Sequence, residues 1–245
     1  GRSGRIAPED ARGYLRSRNK PIPVELEARG GITQVAVLTE SAEIVALVNR
    51  SPLPLPDELK SYPFFNDFHE ALAATKPDVA VIATYSDSHA DFAIAAMEAG
   101  AHVFVEKPLA TTVADARRVV EAAEQLKKKL VVGYILRHHP SWMRLISEAR
   151  KLGGPYVFRM NLNQQSNGQT WDWHKRLLNS FPPIVDCGVH YVDVMCQMTR
   201  SKPVQVYAIG ARLTEEIPAG NYNYGQLQIR FEDGSVGWYE AGWGP

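Results

Sequence analysis

Between positions 43 and 136, short and continuously apolar runs alternate with longer segments whose apolar positions recur every three or four residues. The run from Asp78 to Thr84, DVAVIAT, is rich in β-branched residues, as expected of a strand covered on both faces of a parallel sheet. Ser88, with Asp91 three positions on, has the shape of a capping box. Phe92, Ala95, Ala96 and Ala99 then follow at helical spacing until Gly100 offers a stop. His102 to Val105 reads as the next strand, and Thr112 with Asp115 opens a second helix whose stripe is Val113, Ala116, Val119, Val120, Ala123 and Leu126. Lys127, Lys128 and Lys129 close it, where cations complement the helix dipole. Leu130 to Leu136 is expected to be strand. Upstream, Glu43 to Val48 is expected to be strand and Asp67 to Thr75 helix. Buried strands alternating with amphipathic helices are the mark of βαβ units, hence of a doubly wound α/β sheet.

Beyond residue 140 the pattern changes. One helix, with Trp142, Leu145, Ile146, Ala149 and Leu152 on its stripe, ends at Gly153-Gly154, and strict alternation follows. Tyr156, Phe158, Met160 and Leu162 share one strand face. Leu227, Ile229 and Phe231 share another, and after a Glu-Asp-Gly-Ser turn Val236, Trp238 and Glu240 share a third. These predict antiparallel strands with one wet face, covered on the other by the helix after Asp186. Residues 19–40 fit no single element and read as an inserted loop or hairpin.

The 245 residues are 45% hydrophobic and 22% charged, with 18 Gly and 16 Pro, which excludes collagen-like, low-complexity and disordered classes. Twenty-seven Lys and Arg cancel twenty-seven Asp and Glu, so no global field would hold nucleic acid or an anionic membrane. A small-molecule partner is expected instead. The only cysteines, Cys187 and Cys196, are too few for a disulfide framework and lie nine apart on one expected helix, which points to reduced thiols in a cytoplasmic compartment. Apolar runs such as Val131 to Leu136 are far shorter than the roughly 20 residues of a membrane span, and Gly-Arg-Ser-Gly-Arg is not expected to begin a signal peptide. No metal site is expected.

Doubly wound sheets bind ligands at the carboxyl ends of their strands. Thr84, Ser86 and His89 follow one expected strand, and Glu106-Lys107-Pro108 follows the next. The charged pair reads either as a solvated ion pair or as part of a ligand crevice. Gly1 and Gly4 have the spacing of the last two glycines in a dinucleotide-binding turn, and equally that of an expression remnant or an ordinary loop. Asn49-Arg50-Ser51 stands where an acidic residue would accept from an NAD ribose. Asp186 and His190 are four apart, on one helical face with Asp193 a turn further. That spacing suits a cap or salt bridge, and also a carboxylate that orients a general base. Trp171, Trp173, His174 and Lys175 read as a polar-aromatic loop that could face a sugar ring or anchor packing.

The stretch DVAVIATYSDSHADFAIAAMEAGAHVFVEKPLATT closely resembles the signature of the Gfo/Idh/MocA family (glucose-fructose oxidoreductase, inositol dehydrogenase) of nicotinamide-dependent oxidoreductases. Tyr85 replaces the usual Pro. VVGYILRHHPSWMRL is similar to the family's strand ending in R-x-H-P, and IVDCGVHYVDVM to its D-x-G-x-H-x-x-D helix start. The resemblance implies a Rossmann-type dinucleotide-binding domain over 1–137 and a substrate and oligomerisation domain over 138–245. Against that pattern the former is expected to lack its first strand, and the latter to stop before its sheet is finished. It further implies hydride transfer between NADP, or NAD, and a secondary alcohol or ketone of a sugar, cyclitol or related polyol. His190 would take the hydroxyl proton, Lys107 would polarise the same oxygen, and Asp186 would hold substrate and imidazole. Glu106, Thr84 and His89 would line the cofactor, together with Gly1, Gly4, Asn49, Arg50, Ser51 and Lys107. Trp173 and Lys175 would meet the substrate. Arg50 favours NADP, because a guanidinium pairs with a 2′-phosphate that a carboxylate would repel. A homo-oligomer is expected from an uncovered sheet face. Two other classes stay open: a non-catalytic sugar- or nucleotide-binding sensor or partner subunit, and a hydrolase or dehydratase using Asp186 and His190.

Overall fold

A computed structural model describes residues 43–244 apart from Leu53 and Pro56. Gly1, Gly4 and the stretch 19–40 lie outside the described residues. The chain divides into two compact units, 1–133 and 134–245.

In the first unit, β1 (Leu47–Val48) pairs in parallel with β2 (Phe64–Phe65). A three-stranded parallel sheet follows in the order β3 (Val79–Ile82), β4 (His102–Val105), β5 (Leu130–Val132). The helices are α1 (Phe68–Thr75), α2 (His89–Glu98) and α3 (Val113–Gln125). Ala80, Ile82, Val103 and Val105 form one core with Leu72 of α1, Ala93, Ala96 and Met97 of α2, and Val119 and Ala123 of α3. The small side chains Ala93 and Ala96, both fully buried, let α2 pack closely against that core.

Several expected boundaries move. The strand from Glu43 shortens to Leu47–Val48, the only residues there that pair with β2. The one expected over Leu130 to Leu136 ends at Val132, and Ile135–Arg137 instead forms a 3-10 turn closed by Arg137 N–H to Tyr134 O at 3.0 Å. β3 alternates, with Val79 and Val81 exposed, because the helices send their buried residues to the Ala80 and Ile82 face. Thr112 caps α3 as expected, accepting from Asp115 N–H at 3.0 Å and donating to Asp115 Oδ2 at 2.7 Å. Ser88 does not cap α2. Its hydroxyl donates to Tyr85 O at 2.8 Å and shares a 2.7 Å hydrogen bond with Thr84 Oγ1.

The second unit contains α4 (Pro140–Leu152), α5 (Gly168–Leu177), α6 (Pro183–Asp186) and α7 (Gly188–Thr199). Its strands are β6 (Val157–Gln165), β7 (Pro203–Ala211), β8 (Tyr224–Phe231) and β9 (Val236–Gly244). The sheet order is β6-β9-β8-β7. β6 and β9 are parallel and the other pairs antiparallel, so the sheet is mixed and mostly antiparallel. On β9, Tyr239, Ala241 and Trp243 are buried, while Val236 and Trp238 are exposed. α6 and α7 pack on β9. Trp171 to Lys175, expected as a loop, lies inside α5. Trp171, His174 and Leu177 recur at helical spacing and all three are buried, a period that the polar neighbours Asp172 and Lys175 mask. No helix among the described residues is long and apolar enough to cross a membrane.

Three close approaches require glycine or a yielding neighbour. A Cβ at Gly225 on β8 would lie 2.8 Å from Cβ of Ile184 on α6, one at Gly188 would lie 3.2 Å from the Tyr239 ring, and one at Gly237 would lie 2.6 Å from Met195 Sδ. Ile184 is β-branched and its Cβ sits on the backbone, so it cannot yield by a rotamer change alone. Gly225→Ala should therefore cost about 1–3 kcal/mol in urea unfolding, and Ile184→Gly, which removes that Cβ, should cost less in the Gly225→Ala background than in the wild type. Equal, additive losses in the two single variants would show that the contact does not set the position of α6.

Candidate functional site

In the first unit the polar groups gather at the carboxyl ends of β3 and β4. Glu106 N–H donates to Ile82 O at 2.8 Å, extending the pairing one residue past the end of β4, and the Lys107-Pro108 peptide bond that follows is cis. His89, the first residue of α2, is 1% exposed. Its Nδ1 stands 2.7 Å from Pro108 O and its Nε2 3.0 Å from Thr84 O. The ring thereby staples the end of β3 to the loop that carries Lys107. Gly133, just after β5, lies against the Glu106 carboxyl, where a Cβ would come within 3.0 Å of Oε2.

Burial is the largest influence on Glu106 and pushes its carboxyl above the ordinary carboxylate range. The Lys107 N–H, donating to Oε2 at 3.3 Å, and the charges of Lys107 and His89 oppose it. Thr84 and Arg50 are exposed, and Glu106 and Lys107 are half-buried. After β1, Asn49 Nδ2 donates to Ser51 O at 2.6 Å, and Asn66 Nδ2 donates to Asn49 O and Arg50 O at 3.2 and 3.3 Å. The turn is held by its neighbours, and the Arg50 side chain points to solvent.

In the second unit Asp186 ends the single turn of α6, and His190 lies in the first turn of α7. Cys187 between them keeps helical dihedrals, so the two helices nearly continue one another. Cys187 Sγ stands 3.9 Å from Asp186 Oδ2. Tyr134 meets the His190 ring edge to face at 6.3 Å. Arg137 grips Asp193 with two hydrogen bonds, Nε to Oδ2 at 2.9 Å and Nη2 to Oδ1 at 2.5 Å, and Gln197 Nε2 donates to the same carboxylate at 2.8 Å. Lys175 pairs with Asp172 at 3.1 Å and Glu216 at 3.0 Å, and Trp171 Nε1 also donates to Glu216 at 3.0 Å. Trp173 is exposed, its ring 5.2 Å from that of His174. An open cavity of about 410 Å³ is lined by Tyr134, Ile184, Val185, Val189, Val192 and Asp193. Neither Asp186 nor His190 lines it.

Sequence reasoning overlooked Tyr134 and Tyr239. Tyr239 is legible as the residue opposite in phase to Trp238 on β9. Tyr134 carries no local signal, because its contact with His190 spans 56 positions.

Residues 27–134 match the family described as "Oxidoreductase family, NAD-binding Rossmann fold", and residues 142–244 match the "GFO/IDH/MocA C-terminal domain". An inositol 2-dehydrogenase of Salmonella typhimurium is 31% identical over 148 residues, 58% of this chain and 42% of that protein. A 4-carboxy-2-hydroxymuconate-6-semialdehyde dehydrogenase of Sphingobium is 28% identical over 208 residues, 80% of this chain and 63% of that one. The chain thus spans less than half the length of the first and under two thirds of the second. Among solved structures, myo-inositol 2-dehydrogenase of Lactobacillus plantarum superposes with a TM-score of 0.73 at 18% identity, covering 82% of this chain and 62% of that one. Scyllo-inositol dehydrogenase of Lactobacillus casei, with bound NAD(H) and scyllo-inositol, superposes with a TM-score of 0.69 at 22% identity, covering 83% and 62%. These likenesses establish a Rossmann NAD-binding fold followed by a mixed, mostly antiparallel sheet.

A carboxyl group held above its unfolded value favours the folded state fully below that unfolded value, and the contribution is lost as pH rises through the folded one. Glu106→Gln removes that loss. The variant should be more stable than the wild type at neutral pH, with the gap closing as pH falls below the ordinary glutamate value of 4.5. Urea melts at acid and neutral pH measure this, and a gap that is constant with pH would contradict it.

Proposed function

The chain belongs to the Gfo/Idh/MocA family of oxidoreductases, and we propose that it passes a hydride between a nicotinamide dinucleotide and a secondary alcohol or ketone of a sugar, cyclitol or related polyol. The observation that carries this reading is the joint presence of Lys107 at the end of β4 and of Asp186 and His190 at the α6–α7 junction, in the order of the family pattern. The inositol dehydrogenases it resembles support the polyol class.

The first unit's residues fit the cofactor. Thr84 and Glu106 stand at neighbouring carboxyl ends of parallel strands, and a buried carboxyl kept at a cost in stability suits a partner that donates hydroxyl groups to it, such as a ribose. When bound, nicotinamide supplies the hydride acceptor or donor. The protein's part is position and electrostatics. His190 Nε2 takes the hydroxyl proton as the carbinol is oxidised, and Asp186 keeps the imidazole oriented and favours its charged form. Lys107 donates to the same substrate oxygen and stabilises the negative charge that develops there. Pairing Lys107 with Asp186 and His190 on one substrate rests on the family pattern. Trp173 and Lys175 are assigned to the substrate's remaining hydroxyl groups.

The exposed Arg50 supports NADP over NAD, since its guanidinium is available for a 2′-phosphate. The open face of the second sheet, where Tyr207, Ile209 and Trp238 stand exposed, supports self-association, and sedimentation should return more than a monomer mass. A monomer at micromolar concentration would exclude that assembly.

His190→Ala should lower kcat by about 10²–10⁴ with cofactor affinity nearly unchanged, and Lys107→Met should lower it comparably. The double variant should lose less than the product of the two factors, as expected of groups acting on one proton transfer. Wild-type rates in both single variants would refute the assignment. Arg50→Asp should move the ratio of dissociation constants toward NAD, and a wild type that already binds NAD more tightly than NADP would overturn the cofactor preference.

A further inference from the structure

β9 turns three side chains toward the helices: Tyr239, Ala241 and Trp243, each at most 2% exposed. α6, which ends in Asp186, packs on this strand. Beside the small Ala241 stand two large side chains, each with a buried polar atom that has no hydrogen-bond partner among the described residues, or stacked on a neighbour that has one. Tyr239 presents its own hydroxyl. Trp243 presents His174, whose ring lies flat on the indole at 4.3 Å and 5°, is 4% exposed, and keeps a buried Nδ1 without a partner. Unpaired buried donors are costly, and these two, on different elements, both lie near enough to Asp186 for its charge to act on them.

We propose that His174 and Tyr239 are positioning residues for Asp186, each donating to its carboxylate through one buried water, and so fixing the group that orients His190. The proposal rests on the dehydrogenase reading for its effect on catalysis. Electrostatics agree with the placement. The charge of Asp186 acts on both groups, opposing the burial that pushes His174 below the ordinary histidine range and adding to the burial that raises the Tyr239 hydroxyl. A neutral His174 has one N–H to give, and a tyrosine held protonated has one O–H. The stacking on Trp243 fixes the ring plane, while Gly188 lets the Tyr239 ring approach α7 to contact distance. The titratable groups whose charge acts on His174 or Tyr239 are Asp186, Cys187 and Tyr191. Lys175, next to His174 in the chain, is engaged by Asp172 and Glu216.

His174→Phe keeps an aromatic ring on Trp243 and removes both nitrogens, and Tyr239→Phe removes one hydroxyl. Each should lower kcat/KM for polyol oxidation roughly ten- to hundredfold, the size expected for losing a hydrogen bond to a charged group, with KM for the cofactor unchanged. The acid limb of the pH–rate profile should move to higher pH, because fewer donors favour the carboxylate form. A merely structural role would lower the rate equally at all pH values. His174→Asn, whose amide nitrogen can stand where Nδ1 does, should recover part of the loss. A readout independent of turnover keeps the two proposals separate. In ¹⁵N-histidine spectra His174 should be neutral with its proton on Nδ1, and Asp186→Asn should depress its titration further. If the wild type oxidises no polyol, the dehydrogenase reading fails and the ¹⁵N spectra alone decide this one. Signals of His174 that ignore Asp186→Asn, or variants with wild-type kcat/KM and an unmoved acid limb, overturn it.

Discussion

The ion pair between Arg137 and Asp193 is the contact on which the placement of α7 in the second unit depends. Asp193 has only a tenth of its side chain exposed, and a carboxylate at that depth is tolerated only when its oxygens are satisfied. Arg137 supplies two donors and Gln197 a third. Breaking the pair would leave a desolvated charge, so the 3-10 turn and α7 hold one relative placement. Tyr134, three residues before Arg137, is carried by the same turn to the edge of the His190 ring. The turn that packs against the His190 imidazole is therefore tied to α7 by a charge pair three residues further along that helix.

In the first unit the same economy operates with backbone acceptors. His89 is almost fully buried, and its two nitrogens face the carbonyls of Thr84 and Pro108. A helix N-terminus, a strand end and the loop bearing Lys107 meet at that ring. Glu106 sits beside it in an environment that opposes its charge. Stability alone would favour a neutral side chain there, which is why the proposed reading gives this carboxyl a ligand's hydroxyl groups as partners.

What could be read in the chain follows from the range of the interactions. Short-range chemistry was legible: the cap at Thr112, the stop at Gly100, and the alternation along β8 and β9 all depend on residues within a few positions. The long family stretch from Asp78 to Thr112 located Glu106 and Lys107. Errors arose where tertiary context decides. α5 was hidden because Asp172 and Lys175 interrupt a stripe whose buried members are Trp171, His174 and Leu177. Ser88 looked like a cap, yet Thr84 and Tyr85 claim its hydroxyl. β5 ended early because the chain turns at Tyr134 to bring Arg137 to Asp193. Contacts such as Tyr134 with His190, or His174 with Trp243, join positions 56 and 69 apart and leave no local pattern.

The central claim is that hydride moves between a polyol carbon and a nicotinamide. Single-turnover reaction of the protein with oxidised cofactor and a cyclitol deuterated at its carbinol carbons tests it most directly, followed by mass analysis of cofactor and sugar. The account predicts one deuterium in the reduced cofactor for each ketone formed, and a slower chemical step than with the protiated cyclitol. A polyol that binds and dissociates without any deuterium reaching the cofactor, or is altered with none transferred, would contradict it and favour a binding protein or a dehydratase.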